Sequence, residues 1–146
     1  MPNFDSHGLL PEGIHSCTLY EIETRLTWNL HRLELFLKFK KCLANEIQPR
    51  FSSPIFLDGS YVTNKELPDD IDIVLDLRQS HEQETLNGLR FFQESQSSLM
   101  DQYSVHFWIN LANNYDFAAF FQYVGIKSAK LNGLSPSHLK GILRLI

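Results

Sequence analysis

The chain has 146 residues, 43 % of them hydrophobic, and a formal net charge of −4. That length suits one domain with one sizeable core, and the acidic balance argues against nonspecific binding to nucleic acid, which needs a basic surface. No stretch approaches the roughly 18 apolar residues of a membrane span, so no membrane partner is expected. The start "MPNFDSHGLLPEG" has neither a basic leader nor an apolar run, which makes a cytoplasmic protein the expectation. Cys17 and Cys42 lack CxxC spacing and read as free thiols.

Residues 1–17, ending in "LLPEGIHSC", read as a lead-in segment to a single domain. Thr18 and Glu21 match the S/T-x-x-E capping box and predict a short helix from about Leu19 to Leu26. A second helix is expected from near Thr27 to Pro49. Its stripe is Leu30, Leu33, Leu37, Ala44 and Ile47, with Phe36 and Leu43 alongside. "SPIFLDG" reads as a short strand closed by Asp-Gly, and "DIDIVLDL" as a strand with Asp70, Asp72, Val74 and Asp76 on one face and aliphatic residues on the other.

Leu86, Leu89 and Phe92 suit an amphipathic helix, and "QESQSS" reads as a loop or fraying end. "YSVHFWINL" predicts a strand with Tyr103, Val105, Phe107 and Ile109 facing one side and Ser104, His106, Trp108 and Asn110 the other. "NNYDFAAFFQYVG" reads as an aromatic-rich helix whose rings, like Trp108, are more simply core than base-stacking, and "GILRLI" as a final strand. Helices alternating with short strands indicate an α/β or α+β domain, a short mixed sheet flanked by helices.

The acids crowd the middle of the chain, from Asp58 to Asp101, whereas Lys127, Lys130, Lys140 and Arg144 follow the last acid, Asp116. Such a layout suits an acidic metal site beside a basic end, or two solvated faces. In "FLDGSYVTNKELPDDIDIVLDL", Gly59 allows a phosphate close to the backbone and Ser60 offers a hydroxyl, with a helix expected just after them. Asp70 and Asp72, two apart on a strand, project to one face, where two hard oxygen ligands can hold Mg²⁺ or Mn²⁺ bridged to a triphosphate. A third carboxylate from a neighbouring strand would complete a two-metal site. The histidines His7, His15, His31, His81 and His138 lack the i, i+4 spacing of a zinc site.

Gly59-Ser60, nine residues, then Asp70-Ile-Asp72 within an apolar strand resembles the signature of the polymerase-β-type nucleotidyltransferase superfamily. More narrowly, "LLPEGIHSCTLYEIETRL", "FLDGSYVTNKELPDDIDIV" and "KGILRLI" are similar to small bacterial minimal nucleotidyltransferase-like proteins. The resemblance implies a minimal nucleotidyltransferase fold, Gly59 and Ser60 as the phosphate-binding pair, and Asp70 and Asp72 as catalytic metal carboxylates. It assigns no counterpart to Thr63, Asn64 or Lys65. At the third strand, His106 stands where the superfamily usually has Asp or Glu. Asp76 lies two residue pairs along, and Asp101 could reach the site only from a loop. His106 reads either as a general base or as a strand histidine hydrogen-bonded within the domain.

Two functions are compatible with that resemblance. One is transfer of a nucleoside monophosphate from a Mg²⁺-bound nucleoside triphosphate to a hydroxyl of a partner protein or RNA, with a toxin–antitoxin-like system as a setting. The other is an interaction module that keeps the fold and binds a partner protein without turnover.

Overall fold

The computed structural model describes residues 1–112, 129–130, 133–135 and 137–146. The aromatic helix expected over 113–125 lies outside the described residues, as do Asp116 and Lys127. The elements run β1 (Ile14–Cys17), α1 (Leu19–Leu26), α2 (Leu30–Cys42), β2 (Ile55–Asp58), β3 (Ile71–Asp76), α3 (Glu82–Tyr103), β4 (Val105–Asn110) and β5 (Ile142–Leu145). The strands form one mixed five-stranded sheet in the order β1-β5-β2-β3-β4. β2 is antiparallel to both β5 and β3, whereas β1–β5 and β3–β4 are parallel. The architecture is α+β, as the alternation of elements implies.

Local chemistry sets several boundaries. Thr18 and Glu21 form the capping box: the Glu21 N–H donates to Thr18 Oγ1 at 3.2 Å and the Thr18 N–H to Glu21 Oε2 at 2.9 Å. α2 starts at Leu30, three residues after Thr27, because the Asn29 side chain caps it, accepting from the Arg32 N–H at 2.8 Å. A single π-helical turn over Leu43–Ile47 extends it towards Pro49. α3 ends at Ser104, whose left-handed backbone (φ 53°) turns the chain straight into β4.

Alternation along β3 and β4 divides the sheet into two faces. Ile71, Ile73, Leu75, Val105, Phe107 and Ile109, with Leu57 and Leu143, meet Ile22, Leu26, Phe36, Phe39, Phe91 and Leu99 of the helices in the main core. The opposite face carries Asp58, Asp72, Asp76, His106 and Asn110 around a small apolar group of Phe56, Val74, Ile142 and Trp108.

Four expectations need correction. The lead-in holds a strand, β1, which pairs with β5 from Ile14↔Ile142 to Cys17↔Leu145. The buried stripe of α2 is Arg32, Leu35, Phe36, Phe39 and Cys42; Leu30 (71 % exposed), Leu37 and Ala44 face outward, because burying the Arg32 guanidinium rotates the helix. "QESQSS" lies inside α3 and not in a loop: Gln93, Glu94, Ser97 and Ser98 are exposed, whereas Gln96 Nε2 donates to the Phe107 carbonyl of β4 at 3.1 Å. Tyr103 belongs to that helix and not to the strand, which also places exposed Asp101 on a helix instead of a loop. Along the same helix the buried positions are Glu84, Gly88, Phe91 and Leu99, and Leu86 is exposed.

Candidate active site

The site is built on one register row. Asp58, the last residue of β2, pairs with Asp72 of β3, and Asp72 pairs with His106 of β4. Directly paired strand residues project to the same face, so three polar side chains line up across three strands. Asp70 stands just before β3, half-buried, at the rim of the row.

Asp58 leads into Gly59, which has φ 74° and ψ −160°, a conformation open in practice only to glycine. A Cβ at Gly59 would lie 1.8 Å from Asp72 Oδ2, so the absence of a side chain lets the Asp72 carboxylate rest against the backbone of the turn. The helix expected after Ser60 is only a three-residue 3₁₀ turn, Ser60–Val62. It stops because its carbonyls are taken by other donors. Thr63 Oγ1 donates to the Ser60 carbonyl at 2.7 Å, and the buried Arg32 guanidinium donates to the carbonyls of Tyr61, Lys65 (2.6 Å) and Leu26 (2.7 Å). Arg32 also lies between the Trp28 and Tyr61 rings, 3.8 and 4.4 Å from their centroids. Thr63, Asn64 and Lys65 brace this loop: the Lys65 N–H donates to Thr63 Oγ1 at 3.2 Å and the Asn64 N–H to the Gly8 carbonyl at 2.8 Å.

Three carboxyls of the site are pushed above their ordinary range. Burial raises Asp58 to about 7, and neighbouring Asp72 adds to the rise; Lys140 and the Gly59 N–H oppose it. Burial raises Asp72 too, reinforced by Asp70 and countered by His106, Trp108 and Lys140. Asp70 is raised by burial and by Asp69, against His106 and Lys65. In each of the three, burial is the largest cause of the rise. His106 Nδ1 lies 3.2 Å from Asp72 Oδ1, and its ring is tilted against that of Trp108, with centroids 4.5 Å apart. Asp76 stands outside this group. Arg78 grips it at 2.8 and 2.9 Å, and although burial raises its carboxyl, those bonds hold it below the usual range.

Among the described residues, no group of three or more His, Cys, Asp or Glu side chains is arranged to hold a metal ion alone. Asp70 and Asp72 nevertheless fit magnesium, which favours one or two carboxylates completed by waters and substrate phosphates over an all-protein cage.

Two residues of the site escape sequence reasoning. Lys140, just ahead of β5, makes an ion pair with Asp58 through Oδ1, the atom that also takes the Gly59 N–H at 2.6 Å. Asp58 Oδ2 is buried without a hydrogen-bond partner among the described residues. The only hint in the sequence is the excess of basic residues towards the final strand.

A pH dependence follows. Asp58 holds its proton more tightly folded than unfolded, so ionising it works against the fold. Unfolding free energy is expected to fall as pH rises from about 4 to about 7 and to level off above that. Urea denaturation across that window measures it, and Asp58→Asn should reduce the slope, to which the raised Asp70 and Asp72 also contribute; an unchanged slope in the variant would contradict the assignment.

No helix among the described residues is long and apolar enough to cross a membrane, and both cysteines are buried free thiols. Neither a curated protein nor a solved structure matches the chain. Residues 2–146 match a family described as a family of unknown function, DUF6932, and the chain belongs to that family.

Proposed function

We propose that the protein is a metal-dependent nucleotidyltransferase of the polymerase-β type that moves a nucleoside monophosphate from a Mg²⁺-bound nucleoside triphosphate to a hydroxyl of a separate protein or RNA. The observation that carries this reading is the seating of Asp72 against the bare backbone of Gly59, with Asp70 and Ser60 beside them. A phosphate-accepting turn and two cation-seeking carboxylates thereby share one corner of the sheet. The Ser60 hydroxyl can donate to a phosphate oxygen, and Asp70 and Asp72, the latter seated in the space that Gly59 leaves, hold the cation against the same phosphates. Bound magnesium would neutralise charge on the leaving pyrophosphate. The imidazole of His106 is placed to take the proton of the attacking hydroxyl, next to the carboxylate that orients it. An acceptor that is itself a partner protein suits a toxin–antitoxin-like pairing, and the site chemistry needs a cytoplasmic supply of triphosphates.

A second reading, an interaction module that binds a partner protein without turnover, is favoured by one observation. The position across from Asp72 is His106 and not a carboxylate, and an imidazole holds Mg²⁺ poorly. The two readings part on His106→Asp. In the enzyme, that variant should bind Mg²⁺ more tightly and release or transfer more label from an α-labelled triphosphate than the wild type, because a carboxylate adds an oxygen ligand beside Asp72. Mg²⁺ titration and label transfer on wild type, His106→Asp and His106→Ala measure it. Nucleotide binding with no turnover in any of the three would favour the module. Unchanged metal binding in His106→Asp, with unfolding of His106→Ala, would make His106 a structural partner of Asp72.

A further inference from the structure

The Lys140–Asp58 pair has no obvious structural need. Lys140 is 6 % exposed and Asp58 fully buried, and their surroundings on this face include the apolar group of Phe56, Val74 and Ile142. A buried ion pair is often no better for stability than apolar side chains of similar size, and such packing is what the adjacent positions use. The pair also sits at a telling place. The oxygen that Lys140 holds is the one that accepts the N–H of Gly59, so the ammonium stands next to the turn where phosphate is to approach. It is close enough to Asp72 to act on that carboxyl as well. Across the sheet the order is ammonium, Asp58, Asp72, imidazole of His106. Among the described residues the buried Asp58 Oδ2 has no hydrogen-bond partner, so they serve this carboxylate incompletely.

We propose that Lys140 is the phosphate-holding cation of the nucleotide site, kept in position by Asp58 until the oxygens of a bound triphosphate take its ammonium. This inference rests on the nucleotide reading above and names the residue that meets the phosphate tail. A lysine suits the role because its compact charge rides on a flexible four-carbon stem and can pass from one anion to another. Asp58 is then the resting partner of the ammonium, and it competes with the phosphate for it.

Titration calorimetry with inorganic tripolyphosphate and Mg²⁺, alongside thermal melting, tests this on wild type, Asp58→Asn, Lys140→Met and the double variant Asp58→Asn/Lys140→Met. Lys140→Met alone should lower the melting temperature, since it strands a buried carboxylate. The double variant removes both charges together, so it should melt near the wild type yet bind tripolyphosphate about tenfold or more weakly, the loss of a charge-assisted contact. Asp58→Asn frees the ammonium and should bind as tightly as the wild type or more so. Wild-type affinity in the double variant, or weakened binding in Asp58→Asn, would overturn the inference and leave Lys140 a counter-ion of Asp58. If the wild type binds neither tripolyphosphate nor any of ATP, GTP, CTP and UTP, the nucleotide reading falls and takes the inference with it.

Discussion

Gly59→Ala, a change of one methyl group, is expected to destabilise the protein by about 2–4 kcal/mol and to abolish nucleotide binding. Strain supplies part of this, since at φ 74° and ψ −160° a residue with a Cβ costs on the order of 1–3 kcal/mol. Collision supplies the rest. The new methyl would stand 1.8 Å from Asp72 Oδ2 and 2.8 Å from its Cγ, so the carboxylate that should hold the cation has to leave its place. Gly59→Val should be worse, because a β-branched side chain is still less tolerant of that backbone. A double-mutant cycle separates the two causes. Asp72→Ala combined with Gly59→Ala should recover the collision and keep the strain, giving a coupling of roughly 0.5–3 kcal/mol in urea denaturation. Strict additivity would mean that Asp72 does not rest on the turn.

Arg32→Met should cost stability on the order of 3 kcal/mol or more, which few single substitutions reach. Three carbonyls, those of Leu26, Tyr61 and Lys65, receive their hydrogen bonds from this one buried guanidinium. Each buried acceptor left unpaired costs about 1–3 kcal/mol, and the stacking between Trp28 and Tyr61 goes as well. Burial lowers the Arg32 guanidinium to about 10, which still leaves it charged at neutral pH. Arg32→Lys should not rescue the loss, because an ammonium cannot reproduce a planar fork directed at three separate carbonyls. The urea midpoint measures both variants. A shift worth less than about 1 kcal/mol in Arg32→Met would show that the loop after Gly59 is held by something else.

How far the sequence reveals this structure depends on how far apart the interacting residues are. α1 has the expected bounds because its capping box is local chemistry, complete within residues 18–21. The faces of β3 and β4 were readable from period-two alternation, which places Asp72 and His106 on one side once the strands are neighbours. Non-local pairings were not readable. β1 is four residues without a strong apolar pattern, and it becomes a strand because β5, from the far end of the chain, lies beside it. Asp58 and Lys140 are 82 positions apart, and nothing local to "FLDGS" announces that its acid is buried and paired. The helix predicted after Ser60 does not form because Arg32 donates to a carbonyl that a helix would have used, a competition visible only once α2 is packed on the loop. The stripe of α2 is right at Phe36, Leu43 and Ile47 and wrong at Leu30, Leu37 and Ala44, because periodicity weighs leucines and gives no weight to an arginine such as the buried Arg32.

The most direct measurement of the central claim is calorimetric titration of ATP, GTP, CTP and UTP, with and without Mg²⁺, into wild type, Asp70→Asn and Asp72→Asn. At least one triphosphate should bind the wild type only when Mg²⁺ is present, and both variants should lose that binding, since each removes a charge that holds the cation. Without metal the variants should be as stable as the wild type or more so, because burial raises both carboxyls, with Asp69 adding to the rise at Asp70 and Asp70 to that at Asp72. Triphosphate affinity that is the same in all three proteins, or that does not depend on Mg²⁺, would contradict the account.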